Sequence, residues 1–157
     1  MMYMISQDTN DVLLKRMEDE NYIGNALAKI LCILCCLVIA GSVLLPYLTL
    51  DASEMVILNT STDVYRLADE TTIGGLVLII AAVGLVFSVI GWYLISAVAG
   101  LAAIGATFYI HMAIEQKIPD FLAHYGTAYY LLLIGGIALV VASVIGFAAK
   151  AAARKAQ

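Results

Sequence analysis

The chain has 157 residues, 63% of them hydrophobic and 13% charged, with a formal net charge of -4. Soluble domains carry about 25% charged residues, so a water-solvated globular domain is excluded, and the acidic balance offers no electrostatic footprint for nucleic acid. The apolar residues lie in continuous runs, which points to one integral membrane domain with the lipid bilayer as its solvent.

Residues 1–23 are polar and acidic overall and are expected to form a cytoplasmic N-terminal segment. Thr9 or Asn10 suits the cap of a short helix, Asp11 suits its dipole, and Val12, Leu13, Leu14 and Met17 form its apolar stripe. Such a stripe lies on a membrane surface, docks a partner, or belongs to a loosely ordered tail. Glu18, Asp19 and Glu20 weaken any attraction to anionic lipid. The first apolar run starts too late, and behind too mixed a charge pattern, for a secretory signal.

The first span is expected over residues 24–47, with Lys29 snorkelling at one end and Pro46 near the other, where a lost helix bond costs little. All three cysteines, Cys32, Cys35 and Cys36, fall inside this run. Their spacing places them on one helical face. A metal, redox or lipidation site is one reading. The favoured reading is packing by a small apolar side chain, because no His or carboxylate accompanies them.

The outer loop 48–71 contains YLTLD, EMVILN and DVYRL, broken by Asp51-Ala-Ser and Asn59-Thr-Ser-Thr. Short alternating or β-branched runs between turn residues predict a small β hairpin or sheet. Asn59-Thr60-Ser61 also matches a glycosylation sequon, with meaning only in a host that glycosylates.

From Thr71 to Ile114 there is no Asp, Glu, Lys or Arg. As one helix this stretch would be about 65 Å long, against about 30 Å of hydrocarbon. It must therefore cross, turn and cross back. Spans over 72–90 and 91–112 follow, turning within Ser88–Tyr93, where Gly91 and the interfacial Trp92 and Tyr93 sit. In the second outer loop, 113–127, residues Ile114, Ile118, Phe121, Leu122 and Tyr125 predict a short interfacial helix. A fourth span covers 128–149, and residues 150–157 form a basic helical tail. The expected fold is thus all-α: a four-transmembrane-helix bundle with a small extracytoplasmic β element.

Four spans place both termini on one side. That side holds Lys15, Arg16, Lys29, Lys150, Arg154 and Lys155, while the other holds Arg66 and Lys117. The bias predicts cytoplasmic termini. Tyr47, Tyr109, Tyr125, Tyr129 and Tyr130 then fall at the outer interface, and Tyr22, Trp92 and Tyr93 at the inner one.

Helices in lipid associate by close backbone approach and polar contacts. Small residues at four-residue spacing mark the packing faces: Ala138, Ala142 and Gly146 in the fourth span, Gly84 and Ser88 in the second, Ser96 and Gly100, with Ala99, Ala103 and Thr107, in the third. These faces meet helices of the same chain or of a second copy.

The middle of every span lacks ionisable residues, which ordinarily mark ion paths and proton relays. This argues against an ion-coupled transporter. An intramembrane hydrolase needs a nucleophile paired with a base, and Ser88 and Ser96 have none nearby in sequence. His111, near Glu115, and His124 suggest a pH-sensitive or metal site, with an interfacial polar role preferred. The outer loop, with Asp51, Glu54, Asp63, Asp69 and Glu70 against Arg66, is the candidate interaction surface, although for these charges a solvated rim that keeps the loop out of the headgroups is the favoured reading.

LLPYLTLD at the first exit, followed by DETTIGGLVLIIAAVGLVFSVIGWYLISAVAGLAAIGATFYI, resembles a widespread group of small bacterial four-span membrane proteins. Their first span ends in an LPF or LPW exit, and some carry an N-terminal zinc ribbon. This chain has no cysteine in its first 24 residues and lacks the lysines common in their inner turn. The outline is also similar to claudin-like proteins, without the Trp and paired Cys of their first loop. The resemblance implies architecture alone, with no activity, metal or cofactor.

The expected function is therefore non-enzymatic. It is protein–protein interaction or self-assembly in a bacterial inner membrane, with a protein partner or homo-oligomer and no cofactor. An oligomeric pore lined by Thr107, Ser96, Ser88 and Ser143, and an immunity-type protein meeting its target through the outer loop, are the alternatives.

Overall fold

A computed structural model of the chain describes residues 2–50, 64–67, 71–115 and 123–155; for residues 2–10, 21, 48–50, 64–66, 71, 114–115 and 123–124 it describes the backbone alone. Four helices dominate: α1 (Met2–Ser42), α2 (Thr71–Ile90), α3 (Tyr93–Glu115) and α4 (Thr127–Lys155). Each contains a stretch long and apolar enough to cross a membrane, as in a multi-pass membrane protein. Three short strands, β1 (Pro46–Leu50), β2 (Val64–Arg66) and β3 (Ala123–Tyr125), lie at the end opposite the termini.

Each helix packs on its neighbours in sequence, and α4 closes the ring against α1. The spacing of the inward positions explains this. Ala28, Cys32, Cys36 and Ile39 on α1 recur every three or four residues, as do Val77, Ala81, Gly84 and Ser88 on α2. On α4 the buried positions include Ala128, Leu132, Gly135, Gly136, Leu139, Ala142, Ser143 and Gly146. Most are small. The large aliphatics, including Leu34, Leu37, Ile79, Val86, Leu101, Ile134 and Ile145, point outward. A water-soluble bundle would do the reverse. With lipid outside, burying leucine gains nothing over leaving it in hydrocarbon, so close backbone contact holds the helices together.

The N-terminal segment is not a separate short helix. α1 is continuous from Met2 through Gly24 into the span, with no start at Thr9 or Asn10. Conversely, the first span ends sooner than expected. The helix stops at Ser42, and successive i to i-3 bonds from Val43, Leu44 and Leu45 tighten the exit. Pro46 disfavours helical geometry at Leu45 and opens β1, a position where its missing N–H is harmless. Tyr47 therefore sits in a strand rather than at a helix end.

The sheet order is β2-β1-β3, with both pairings antiparallel. A hairpin in the first loop is not shown. β1 and β2 pair, but the connecting residues 51–63 lie outside the described residues, and the third strand comes from the second loop. An interfacial helix was expected across 113–127; instead Tyr125 belongs to β3 and pairs with Leu48. Ile118, Phe121 and Leu122 of that expectation lie outside the described residues, as do EMVILN and the Asn59 sequon.

The α2–α3 turn is two residues long. Gly91 adopts φ 81°, a left-handed conformation that a side chain would strain. Its N–H bonds the carbonyls of Phe87 and Ser88, which ends α2 in the manner common for glycine caps.

Candidate functional site

The small-residue faces are used inside the chain. Gly84, Ser88, Ser96, Gly100, Ala142 and Gly146 are all buried. A Cβ on Gly100 would lie 2.9 Å from the Gly136 carbonyl oxygen, and one on Gly84 would lie 3.0 Å from Cys36 Sγ. Gly146 makes room for the Tyr93 ring, whose Cε1 would be 2.5 Å from an added Cβ. Ala138 is only partly buried. With Leu31, Cys35, Ile134, Ile137 and Val141 it lines an apolar groove of about 390 Å³ between α1 and α4.

One level of the bundle carries a layer of small polar side chains. Ser88 Oγ donates to the Gly84 carbonyl at 2.6 Å and lies 3.0 Å from Ser96 Oγ. Ser143 Oγ lies 3.7 Å from Cys32 Sγ. Toward the sheet end, Thr107 Oγ1 donates to the Ala103 carbonyl at 2.9 Å, and Ser42 Oγ to the Ile39 carbonyl at 2.6 Å. Among the described residues no buried side-chain nitrogen or oxygen is left without a partner. In hydrocarbon such groups must be satisfied internally, and here helix carbonyls and neighbouring hydroxyls do so. The three cysteines do not share one environment. Cys32 and Cys36 are buried and Cys35 is half-buried, because a 3.6-residue turn sets Cys35 to one side of the other two.

At the end opposite the termini, an aromatic cluster ties the sheet to the bundle. Tyr47 is fully buried, and its hydroxyl donates to the Thr107 carbonyl at 3.4 Å. The strand register shifts between Pro46 and Leu48, a local irregularity of the kind that re-aims a side chain, and the re-aimed residue is Tyr47. Tyr47 and Tyr129 meet edge to face with centroids 5.8 Å apart, and Tyr125 lies 4.5 Å from Tyr129. The Tyr125 hydroxyl pairs with Nδ1 of His111. His111 is thus engaged with a tyrosine; the side chains of Glu115 and His124, expected beside it, lie outside the described residues. The Gly126 N–H donates to the Tyr47 carbonyl at 2.8 Å, and a Cβ there would collide with the Pro46 carbonyl oxygen. Only glycine fits where α4 begins against β1.

Of the candidate interaction residues, Asp51, Glu54, Asp63, Asp69 and Glu70 lie outside the described residues. Arg66 is in β2, its Cα opposite Pro46. Tyr109 and Tyr130 are exposed near the sheet end, and Tyr22 and Trp92 near the other; Tyr93 and Tyr47 are buried instead. The Tyr93 hydroxyl donates to Asn25 of α1 through both the side-chain and backbone oxygens.

The end carrying the termini holds features that sequence reading missed. Lys150 Nζ donates to the Gly91 carbonyl at 3.1 Å. The Lys29 side chain approaches the same turn, its Cε 3.4 Å from where a Gly91 Cβ would be. The available signal was positional: both lysines lie at the ends of spans that flank the charge-free hairpin. The same positional signal would have found the polar layer, since Cys32, Ser88, Ser96 and Ser143 each lie within a few turns of that end. Comparison with protein-family models, curated proteins and solved structures finds no match to this chain.

Proposed function

We propose that the protein is a non-enzymatic, multi-pass protein of a bacterial inner membrane that works by binding itself or a protein partner. One observation carries this reading. Gly24 of α1 lies level with Ala149 of α4, and α4 ends at Lys155, whereas α1 continues back to Met2. α1 thus projects about 24 Å further than α4. On that extension Val12, Leu13, Leu14 and Met17 are 52–64% exposed. An apolar stripe on a helix that the other described residues leave uncovered favours a second helix.

The bundle interior supports the same reading. Its hydroxyls are committed to helix carbonyls and to one another, which leaves recognition to the ends. The pore alternative draws no support: Thr107, Ser96, Ser88 and Ser143 are all buried inside a single chain. At the opposite end, the sheet of β1, β2 and β3 forms the second candidate surface. The Lys and Arg bias supports cytoplasmic termini.

The test is crosslinking in native membranes with a photoreactive residue at Leu13. A discrete dimer or a single partner band is expected, lost on Val12→Gln/Met17→Gln. Recovery of monomer alone would overturn the proposal.

A further inference from the structure

At the end carrying the termini, the α2–α3 turn and the last turns of α4 enclose a cleft of about 570 Å³. Its walls divide by chemistry. Trp92, Leu94, Ile95 and Phe147 make one side, while Lys150, Arg154 and Lys155 make the other, and among the described residues no carboxylate lines it. The split follows from helical spacing: Phe147, Lys150, Ala151 and Arg154 stand at i, i+3, i+4 and i+7, one face of α4.

The cationic side is organised. Lys150 spends one donor on the Gly91 carbonyl, which fixes its ammonium while two N–H groups remain. Arg154 adds a planar fork matched to phosphate oxygens. The apolar side is continuous with the spanning stretch of α3. Leu94, Phe147 and Trp92 are 70%, 59% and 57% exposed, and tryptophan favours the headgroup level.

Positive charge on the water side and bare hydrocarbon on the bilayer side match the two parts of a phospholipid. A soluble anion has no use for the apolar wall. A zwitterionic headgroup brings its own cation against three others. We propose that this cleft binds an anionic phospholipid of the adjacent leaflet, its headgroup phosphate paired with Lys150, Arg154 and Lys155 and its upper chain packed on Trp92, Leu94 and Phe147. The proposal rests on the helices crossing a bilayer and is independent of any partner of the α1 extension.

Trp92 is the only tryptophan in the chain, so the site reports on itself. The full-length protein is reconstituted into phosphatidylcholine vesicles containing either brominated phosphatidylglycerol or brominated phosphatidylcholine, and quenching of Trp92 is compared. The brominated anionic lipid should quench with a relative binding constant about tenfold higher, and Arg154→Gln should reduce that preference about fivefold. The preference should shrink toward 1 M salt, where the Debye length falls to about 3 Å. Lys15→Gln/Arg16→Gln, on α1, should leave it unchanged.

Equal quenching by the two brominated lipids in the unaltered protein would overturn the proposal. So would a preference untouched by Lys150→Gln/Arg154→Gln/Lys155→Gln. Inorganic phosphate should not compete beyond chloride of equal ionic strength; if it does, the ligand is a soluble phosphate and the lipid assignment fails. Should the triple variant not fold, the two-lipid comparison and the salt titration of the unaltered protein decide the matter.

Discussion

Two glycine-to-alanine substitutions on one helix should have opposite effects on stability. At Gly100 an added Cβ would sit 2.8 Å from Val140 Cγ2, 2.9 Å from the Gly136 carbonyl oxygen and 3.1 Å from the Val140 nitrogen. Two of those three atoms are backbone, so no rotamer change relieves them. α3 and α4 must separate by about half an ångström, a gap that forfeits a quarter or more of each dispersion contact along the crossing. Overpacking of this kind costs about 1–3 kcal/mol. At Gly105, five residues on, nothing lies within 4 Å of the added Cβ, so Gly105→Ala should be neutral or stabilise by up to about 1 kcal/mol through helix propensity alone. Reversible unfolding in mixed detergent micelles, followed by circular dichroism, measures both. Gly100→Ala should unfold at clearly lower denaturant than Gly105→Ala. If both variants unfold with the unaltered protein, or if Gly105→Ala is the weaker, α3 and α4 do not cross at Gly100 and the packing argument fails.

Gly126→Ala should loosen the sheet from the bundle, because the new Cβ meets the Pro46 carbonyl. In sealed vesicles, protease added on the sheet side should then cut the loops faster. A double-mutant cycle on Ser88→Ala and Ser96→Ala should give a coupling near 0.6 kcal/mol, the usual size for interhelical hydrogen bonds in membranes; zero coupling would show that the 3.0 Å contact carries no energy. In mild detergent a small maleimide should modify Cys35 well before Cys32 or Cys36, which are 0% and 1% exposed. Cys35→Ser should abolish the fast phase, and a fast phase that survives would contradict the placement of the three thiols.

The four helices were legible because a charge-free run too long for one crossing forces a turn, and Gly91 is where the chain turns. The packing faces were legible too: lipid outside makes small residues the signal, and the Gly84, Ser96 and Gly100 spacing reads directly as a close approach. The third strand was not. Ala123–Tyr125 is three residues long and exists because β1 is there to pair with, a contact spanning some 75 residues that no local pattern encodes. Tyr47 misled for a related reason. An aromatic residue beside proline at a span end reads as an interfacial anchor, and only the register shift after Pro46 turns it inward. The continuity of α1 was hidden by composition, since the polarity change near Gly24 marks where the continuous apolar run starts rather than where the helix begins.

The lysines at Gly91 bear on topology in a way that counting along the sequence misses. The positive-inside bias is counted over loops and flanking residues, and the α2–α3 turn contributes no cation of its own. In space it has two, since Lys29 arrives from α1 and Lys150 from α4. They meet the C-terminal end of α2, where free carbonyls and the helix dipole favour positive charge. The turn is thereby drawn to the charged plane of the two chain ends, so it should lie on the same side of the membrane as Lys15, Arg16, Arg154 and Lys155. Single cysteines in a background with Cys32, Cys35 and Cys36 replaced by alanine test this in intact cells. A membrane-impermeant maleimide should label Tyr130→Cys, and should reach Lys15→Cys or Trp92→Cys only after lysis. Labelling of Lys15→Cys before lysis would invert the orientation, and labelling of Trp92→Cys but not Lys15→Cys would break the pairing of the turn with the termini.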